Sequence, residues 1–284
     1  MKKNKKLLSL AAVAAMSLTV IGGSLAYFTD VAEVDNEFTS GKVDIELYEM
    51  ERAYDTSGNL TGLVDLVDDD KFFPVVANGG YDEYGLSTDR NYVDKIITVK
   101  NLEEDAYVRV FTAIPTALEN LNGNASYDVL HMTFGETFVE AGGKADGSTA
   151  NSDFSTWTSN VLEHEGVTIA GHGTTLYNIY SHTYERALTK DETTASACVT
   201  GLYLDSNVDH DGTNYIYKAG TDRSFTSHDN IIIDFDLTDI TIPVYVQAVQ
   251  AAGFDTADAA FDGEGFSTNP WADTAVNEGV TPLP

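Results

Sequence analysis

The feature that most constrains the fold of this chain is an alternation of apolar and polar side chains with period two, repeated in short runs along most of its length. Ile240, Ile242, Val244, Val246 and Ala248 form one such row. Successive side chains of a strand point to opposite faces, so this spacing lines one face of a sheet. Val43, Ile45 and Leu47 alternate with Lys42, Asp44 and Glu46 in the same way, and residues 231–237 alternate at their end. In 107–114, Val108, Val110 and Thr112 share one face and Arg109 and Phe111 the other. Further strands are read at 96–100, 130–139, 167–169, 176–186 and 199–204. Pro243 has no N–H to give a ladder, so its position is a strand start or a sheet edge. Helix is expected only at 115–121 and 256–261, and no internal repeat is present. Residues 52–90 read as a polar surface excursion with one short strand near Phe72, and 141–152 as a loop rich in Gly, Ser and Asp. Many short strands separated by turn residues point to an all-β fold, a jelly-roll-like β-sandwich with short helices and long surface loops.

The N-terminus carries a different signal. Lys2, Lys3, Lys5 and Lys6 precede an uncharged apolar run over residues 7–21. Gly22 and Gly23 interrupt it, and Ser24-Leu25-Ala26 sets small residues at the −3 and −1 positions of a signal peptidase site. The run is short for a bilayer-spanning helix, which needs about 20 apolar residues. It is therefore read as a removable signal peptide, 1–26. Cleavage is expected between Ala26 and Tyr27, leaving 27–284 as one secreted domain.

Composition narrows the partners. The formal net charge is −29 over 284 residues, and removal of the four leading lysines makes it more negative. Such a chain repels nucleic acid and anionic lipid, so neither is expected as a partner once the signal peptide is gone. A hydrophobic fraction of 43% argues against disorder. The single cysteine, Cys198, cannot form an internal disulfide and reads as a small buried hydrophobe, an intermolecular disulfide being the alternative.

Several stretches carry a family resemblance. Phe28-Thr29-Asp30 follows the cleavage site, and Asn36, Phe38, Ser40, Gly41, Val43, Asp44 and Ile45 form an ordered run after it. Ile97-Thr98-Val99-Lys100-Asn101 precedes Ala106-Tyr107-Val108-Arg109-Val110. Later stretches are 177–180, Glu192-Thr193-Thr194, 202–205 and Ile242-Pro243-Val244 with Val249-Gln250-Ala251. Together these resemble the TasA/camelysin family of bacterial biofilm-matrix and surface proteins, exported through a SipW-type signal peptidase. Two departures affect loops. Phe73-Pro74 lies well upstream of the 97–101 strand, and Lys190-Asp191 replaces a small-Gly pair.

The resemblance implies a fibre subunit that assembles with copies of itself by donor-strand exchange. The donor would be residues 27–40, with Phe28, Ala32, Val34 and Phe38 on one strand face, interrupted by Asp30 and Asn36. The alternative is that this segment is the first strand of its own domain. The camelysin branch has been described as zinc metalloprotease, so the resemblance raises the alternative of a metal site. None of the six histidines (131, 164, 172, 182, 210, 228) forms H-E-x-x-H, and His164-Glu165 leads into a Gly-rich, β-like stretch. No nucleophile elbow or phosphate loop is present. Asp205, Asn207, Asp209 and Asp211 alternate before Gly212, like the first half of a calcium loop. Lys218 stands where an EF-hand has glutamate, which leaves a looser calcium turn or a plain solvated β-turn. No cofactor is expected other than this calcium. The expectation is a secreted, non-enzymatic structural protein of the extracellular matrix or cell surface. A monomeric adhesion protein of the same fold and a camelysin-like metallopeptidase are the alternatives.

Overall fold

The computed structural model describes residues 29–33, 43–67, 74–75, 92–134, 157–158, 160–219, 229–238, 240–264 and 266–272. In chain order the strands are β1 (Thr29–Glu33), β2 (Ile45–Tyr54), β3 (Leu60–Asp65), β4 (Pro74–Val75), β5 (Val93–Asp94), β6 (Ile96–Asn101), β7 (Ala106–Pro115) and β8 (Leu130–Phe134). They continue as β9 (Val161–Thr168), β10 (Leu176–Thr183), β11 (Val199–Asp205), β12 (Val208–His210), β13 (Tyr215–Ala219), β14 (Asp229–Ile232) and β15 (Val244–Gln250). Among the described residues the α-helix is α1 (Ala257–Glu264).

These strands build two facing layers, the all-β sandwich expected from the alternation. One layer is a five-stranded antiparallel sheet ordered β1-β15-β7-β10-β9. The other starts from β3-β2-β6. The 192–200 stretch extends it. Thr194 N donates to Val99 O at 2.9 Å and Cys198 N to Ile97 O at 2.8 Å, which carries the sheet onto β11 and its partner β8. The chain crosses between the layers from β1 to β2, from β6 to β7, from β7 to β8, from β8 to β9 and from β10 to β11. β4 and β5 flank β11 in that layer, and a satellite sheet, β12-β13-β14, completes the described strands.

The inward rows meet in one apolar core. Val108 and Val110 of β7 and Val244, Val246 and Ala248 of β15 pack with Ile45, Ile97, Val99, Leu130, Met132 and Leu204 of the facing layer. Every residue of β7 is buried, so its second face is covered too. There Tyr107 and Val249 lie under Ala257, Ala260 and Phe261 of α1. Phe111, Ala113, Ile179 and Tyr245 pack with Trp271 of the following segment. Asn101, fully buried, turns the corner from β6 to β7. Its Nδ2 donates to Glu104 O at 2.8 Å and Leu188 O at 2.9 Å.

Two local expectations are corrected. The excursion over 52–90 opens with a hairpin, because β2 runs on to Tyr54 and pairs with β3. Asp55 accepts from Ser57 N and Asn59 N, both at 2.8 Å, and Gly58 takes the positive φ of +83° that the turn needs. The short strand expected near Phe72 falls at β4, two residues further on. The helix expected at 115–121 is two 3-10 turns, Thr116–Leu118 and Leu121–Gly123, because Glu119 is extended and Asn120 left-handed between them. The strand read at 130–139 is seen as β8, and its remainder lies outside the described residues. Pro243 immediately precedes β15, as its missing N–H requires.

Candidate functional site

Of the candidate donor segment, residues 29–33 are described, as β1. β1 forms an edge of the five-stranded sheet, antiparallel to β15, with Thr29 opposite Val249 and Glu33 opposite Tyr245. Ala32 of the candidate donor row stands opposite Val246. Ala26, Tyr27, Phe28, Val34 and Phe38 lie outside the described residues. β1 therefore occupies the β15 edge of its own chain. β15 is buried on its inner face by the core and on its outer face by the 254–272 segment. Gln247 Nε2 donates to Ser267 O at 3.1 Å across that outer face.

The alternating acidic residues are spread along a hairpin. Asp205 ends β11, Asn207 lies in the turn after it, Asp209 sits in β12 and Asp211 in the turn to β13. Each carboxylate has protein partners. Asp205 accepts from His131 Nε2 at 2.9 Å and from Asn207 N at 2.7 Å. Burial works against its ionisation, but these donors outweigh burial and hold the carboxyl below the usual range. Asp209 is lowered by its ion pair with Lys218. Asp211 accepts from Asn214 N and Thr213 N, both at 2.8 Å, and is lowered by them. Gly212, at φ +98°, permits that turn.

The histidines are equally dispersed. His131 stacks on Tyr203 at 4.7 Å beside Asp205. His164 shares a 2.9 Å hydrogen bond with Thr268 Oγ1. His172 meets the edge of Tyr177 and His210 the edge of Tyr215. His182 is buried in the core, and His228 lies outside the described residues. Among the described residues no three His, Cys, Asp or Glu side chains converge as metal ligands.

Three polar arrangements escaped the sequence reading because their partners are distant in the chain. Arg52 donates its backbone N, Nε and Nη2 to Asp94, in a pair whose side chains are 4% and 9% exposed. Buried Glu119 accepts from Asn178 Nδ2 at 2.8 Å and Tyr180 OH at 2.9 Å. Arg109 stacks its guanidinium over the Phe261 ring at 4.1 Å and donates Nε–H to Thr183 Oγ1 at 3.2 Å. Burial lowers its basicity, against the pull of Glu163, Asp258 and Asp262.

Residues 2–52 match a family model described as camelysin metallo-endopeptidase. That is the TasA/camelysin family which the N-terminal run resembles, and the match ends inside β2. Neither curated proteins nor solved structures give a match. The expectation of a non-enzymatic protein is thereby corrected, since the matched family is named for an endopeptidase. Among the described residues no helix is long and apolar enough to cross a membrane.

Proposed function

We infer that this chain is a secreted protein of the TasA/camelysin kind that assembles with copies of itself by placing its N-terminal strand on the β15 edge of a neighbour. The observation that carries this reading is the position of β1. It is an edge strand, held to the sheet through β15, and its covalent continuation crosses to β2 in the other layer. Residues 34–44 join the two and span at most about 36 Å when extended. That length lets β1 reach the same edge of an adjacent copy. Donation in trans would repeat in trans the backbone ladder that β1 makes in cis, so the two states differ mainly in connectivity. A head-to-tail contact of this kind does not close on itself and produces a filament. Export by a SipW-type peptidase would start the mature chain at Tyr27, two residues before β1.

Deleting residues 27–37 tests this. The truncated protein should stay soluble and fail to elongate by negative-stain microscopy and sedimentation, and the free 27–37 peptide should cap growth of the intact protein. Filaments of normal length from the truncated protein would refute it. The family description favours a second reading, a metallo-endopeptidase, which requires chelator-sensitive cleavage of a protein substrate by the purified chain. The two readings are compatible in one molecule.

A further inference from the structure

We propose that β1 of a second copy, docking as the assembly reading above requires, pairs with β15 two residues out of the register seen within one chain, so that Thr29 comes opposite Gln247. The inference rests on that reading and on one orphaned atom. Gln247 is 3% exposed, and its Oε1 is buried with no hydrogen-bond partner among the described residues. Its Nε2 is committed to Ser267 O. Arg109, its neighbour on β7, turns its guanidinium to the Phe261 ring and to Thr183 Oγ1. On the other side the register places Val31 of β1 opposite Gln247, and valine has no side-chain donor. A buried acceptor left unmet costs stability, so the pairing within one chain is not the best that this edge can make.

The outer-face row of β15 is Tyr245, Gln247 and Val249, and within one chain it meets Glu33, Val31 and Thr29 in that order. Each pair is mismatched: a carboxylate against a buried tyrosine, an aliphatic residue against an amide, a hydroxyl against an aliphatic residue. Sliding β1 by two residues, about 7 Å, brings Val31 opposite Tyr245 and Thr29 opposite Gln247, and it takes Glu33 past the start of β15. An aliphatic residue then meets an aromatic ring and a hydroxyl meets the orphaned amide oxygen, both favourable cross-strand pairs. A slip of two keeps every residue on its face and keeps the alternation of hydrogen-bonded pairs. On the core face Ala32 moves from Val246 to Val244 and Asp30 from Ala248 to Val246, along a row that is buried throughout, so that face does not choose between the registers. Within one chain the register is shared with the 34–44 connection to β2. In trans that connection belongs to the other copy, and pairing with β15 alone selects the register. The edge therefore favours a foreign β1 over its own.

Cross-linking reads the register in the full mature chain. Ala32→Cys copies are mixed with Val244→Cys copies, or with Val246→Cys copies, and oxidised during assembly. Thr29, Val31 and Gln247 stay intact, and the native Cys198 is buried. Disulfide-linked dimers are expected with Val244→Cys and not with Val246→Cys. Dimers with Val246→Cys instead would overturn the slip and leave the assembly reading standing, whereas dimers with neither would overturn both. Two further variants test the energetics. Thr29→Val removes a hydroxyl that meets Gln247 only in trans. It should raise the critical concentration for filaments about fivefold, measured by sedimentation, without lowering the melting temperature of the monomer. Val31→Thr supplies a hydroxyl opposite Gln247 within one chain, so the monomer melting temperature and the critical concentration should rise together. An unchanged critical concentration in Thr29→Val, or readier assembly of Val31→Thr, would overturn the slip.

Discussion

Gly201 offers a sharp test of how the second layer is held together. It lies in β11 opposite Asp94 of β5. A Cβ built there would stand 2.2 Å from Tyr92 Cε1, 2.8 Å from Tyr92 Cδ1 and 2.7 Å from the Val93 carbonyl oxygen. Gly201→Ala must therefore move two things. The Tyr92 ring can swing away, but it then gives up its stack on Tyr203 at 5.4 Å, worth about 1 kcal/mol. It also loses its hydroxyl bond to Thr133, worth about another 1 kcal/mol. The carbonyl belongs to the backbone, and reaching ordinary contact means parting β5 from β11 by roughly 0.7 Å, at a cost in the range of about 1–3 kcal/mol for overpacking. Loss of glycine's unfolded-state freedom returns about 0.5–1 kcal/mol. The expected net loss is about 2–4.5 kcal/mol, read from urea denaturation at pH 7 as a lower midpoint with unchanged slope. Tyr92→Ala in the same chain should couple to Gly201→Ala, the pair losing less than the sum, with about 1 kcal/mol of the glycine effect persisting because the Val93 carbonyl remains. A single-variant loss under 0.5 kcal/mol, or complete rescue by Tyr92→Ala, would refute the backbone part of this reasoning.

Asp94→Ala should cost about 3–5 kcal/mol by the same assay, because it strands the buried Arg52 guanidinium, and Arg52→Met with Asp94→Leu should recover most of it. At Asp44, burial first and then Glu103 and Glu46 raise the carboxyl above 3.8. A carboxyl that holds its proton more tightly when folded lowers stability as pH rises through that range. Asp44→Asn should therefore gain a few tenths of a kcal/mol at pH 7 and nothing near pH 3, measured as the pH dependence of denaturation midpoints. Calcium at ten times its Kd should stabilise the native chain by about 1.4 kcal/mol if the 205–211 hairpin binds it. Asp209→Ala with Asp211→Ala should remove that difference between calcium and chelator melts, and an equal response in both proteins would assign the effect to general screening.

What the sequence by itself determined is whatever rests on local periodicity and local turn chemistry. The rows at 43–47, 107–114 and 240–248 became β2, β7 and β15 because a period of two sets one apolar row of each strand against the core. The turns at Gly58 and Gly212 and the strand start after Pro243 follow from what those residues permit in their own backbone. The N-terminal run, which is local text too, was enough to match residues 2–52 to a family. Tertiary structure decided everything that needed a second segment. β3 was hidden because its apolar side chains are half-exposed, so no clean alternation marks it. The second face of β7 carries Tyr107, Arg109 and Phe111, and only the arrival of α1 and Trp271 makes that mixed face an interior. Arg52 meets Asp94 from 42 positions away, and His182 owes its lowered basicity to burial in the assembled core, which the Thr158 carbonyl, 24 positions earlier, only partly opposes. Ionisation is set by desolvation and by the nearest charges, and both belong to the assembled sandwich rather than to any stretch of its chain.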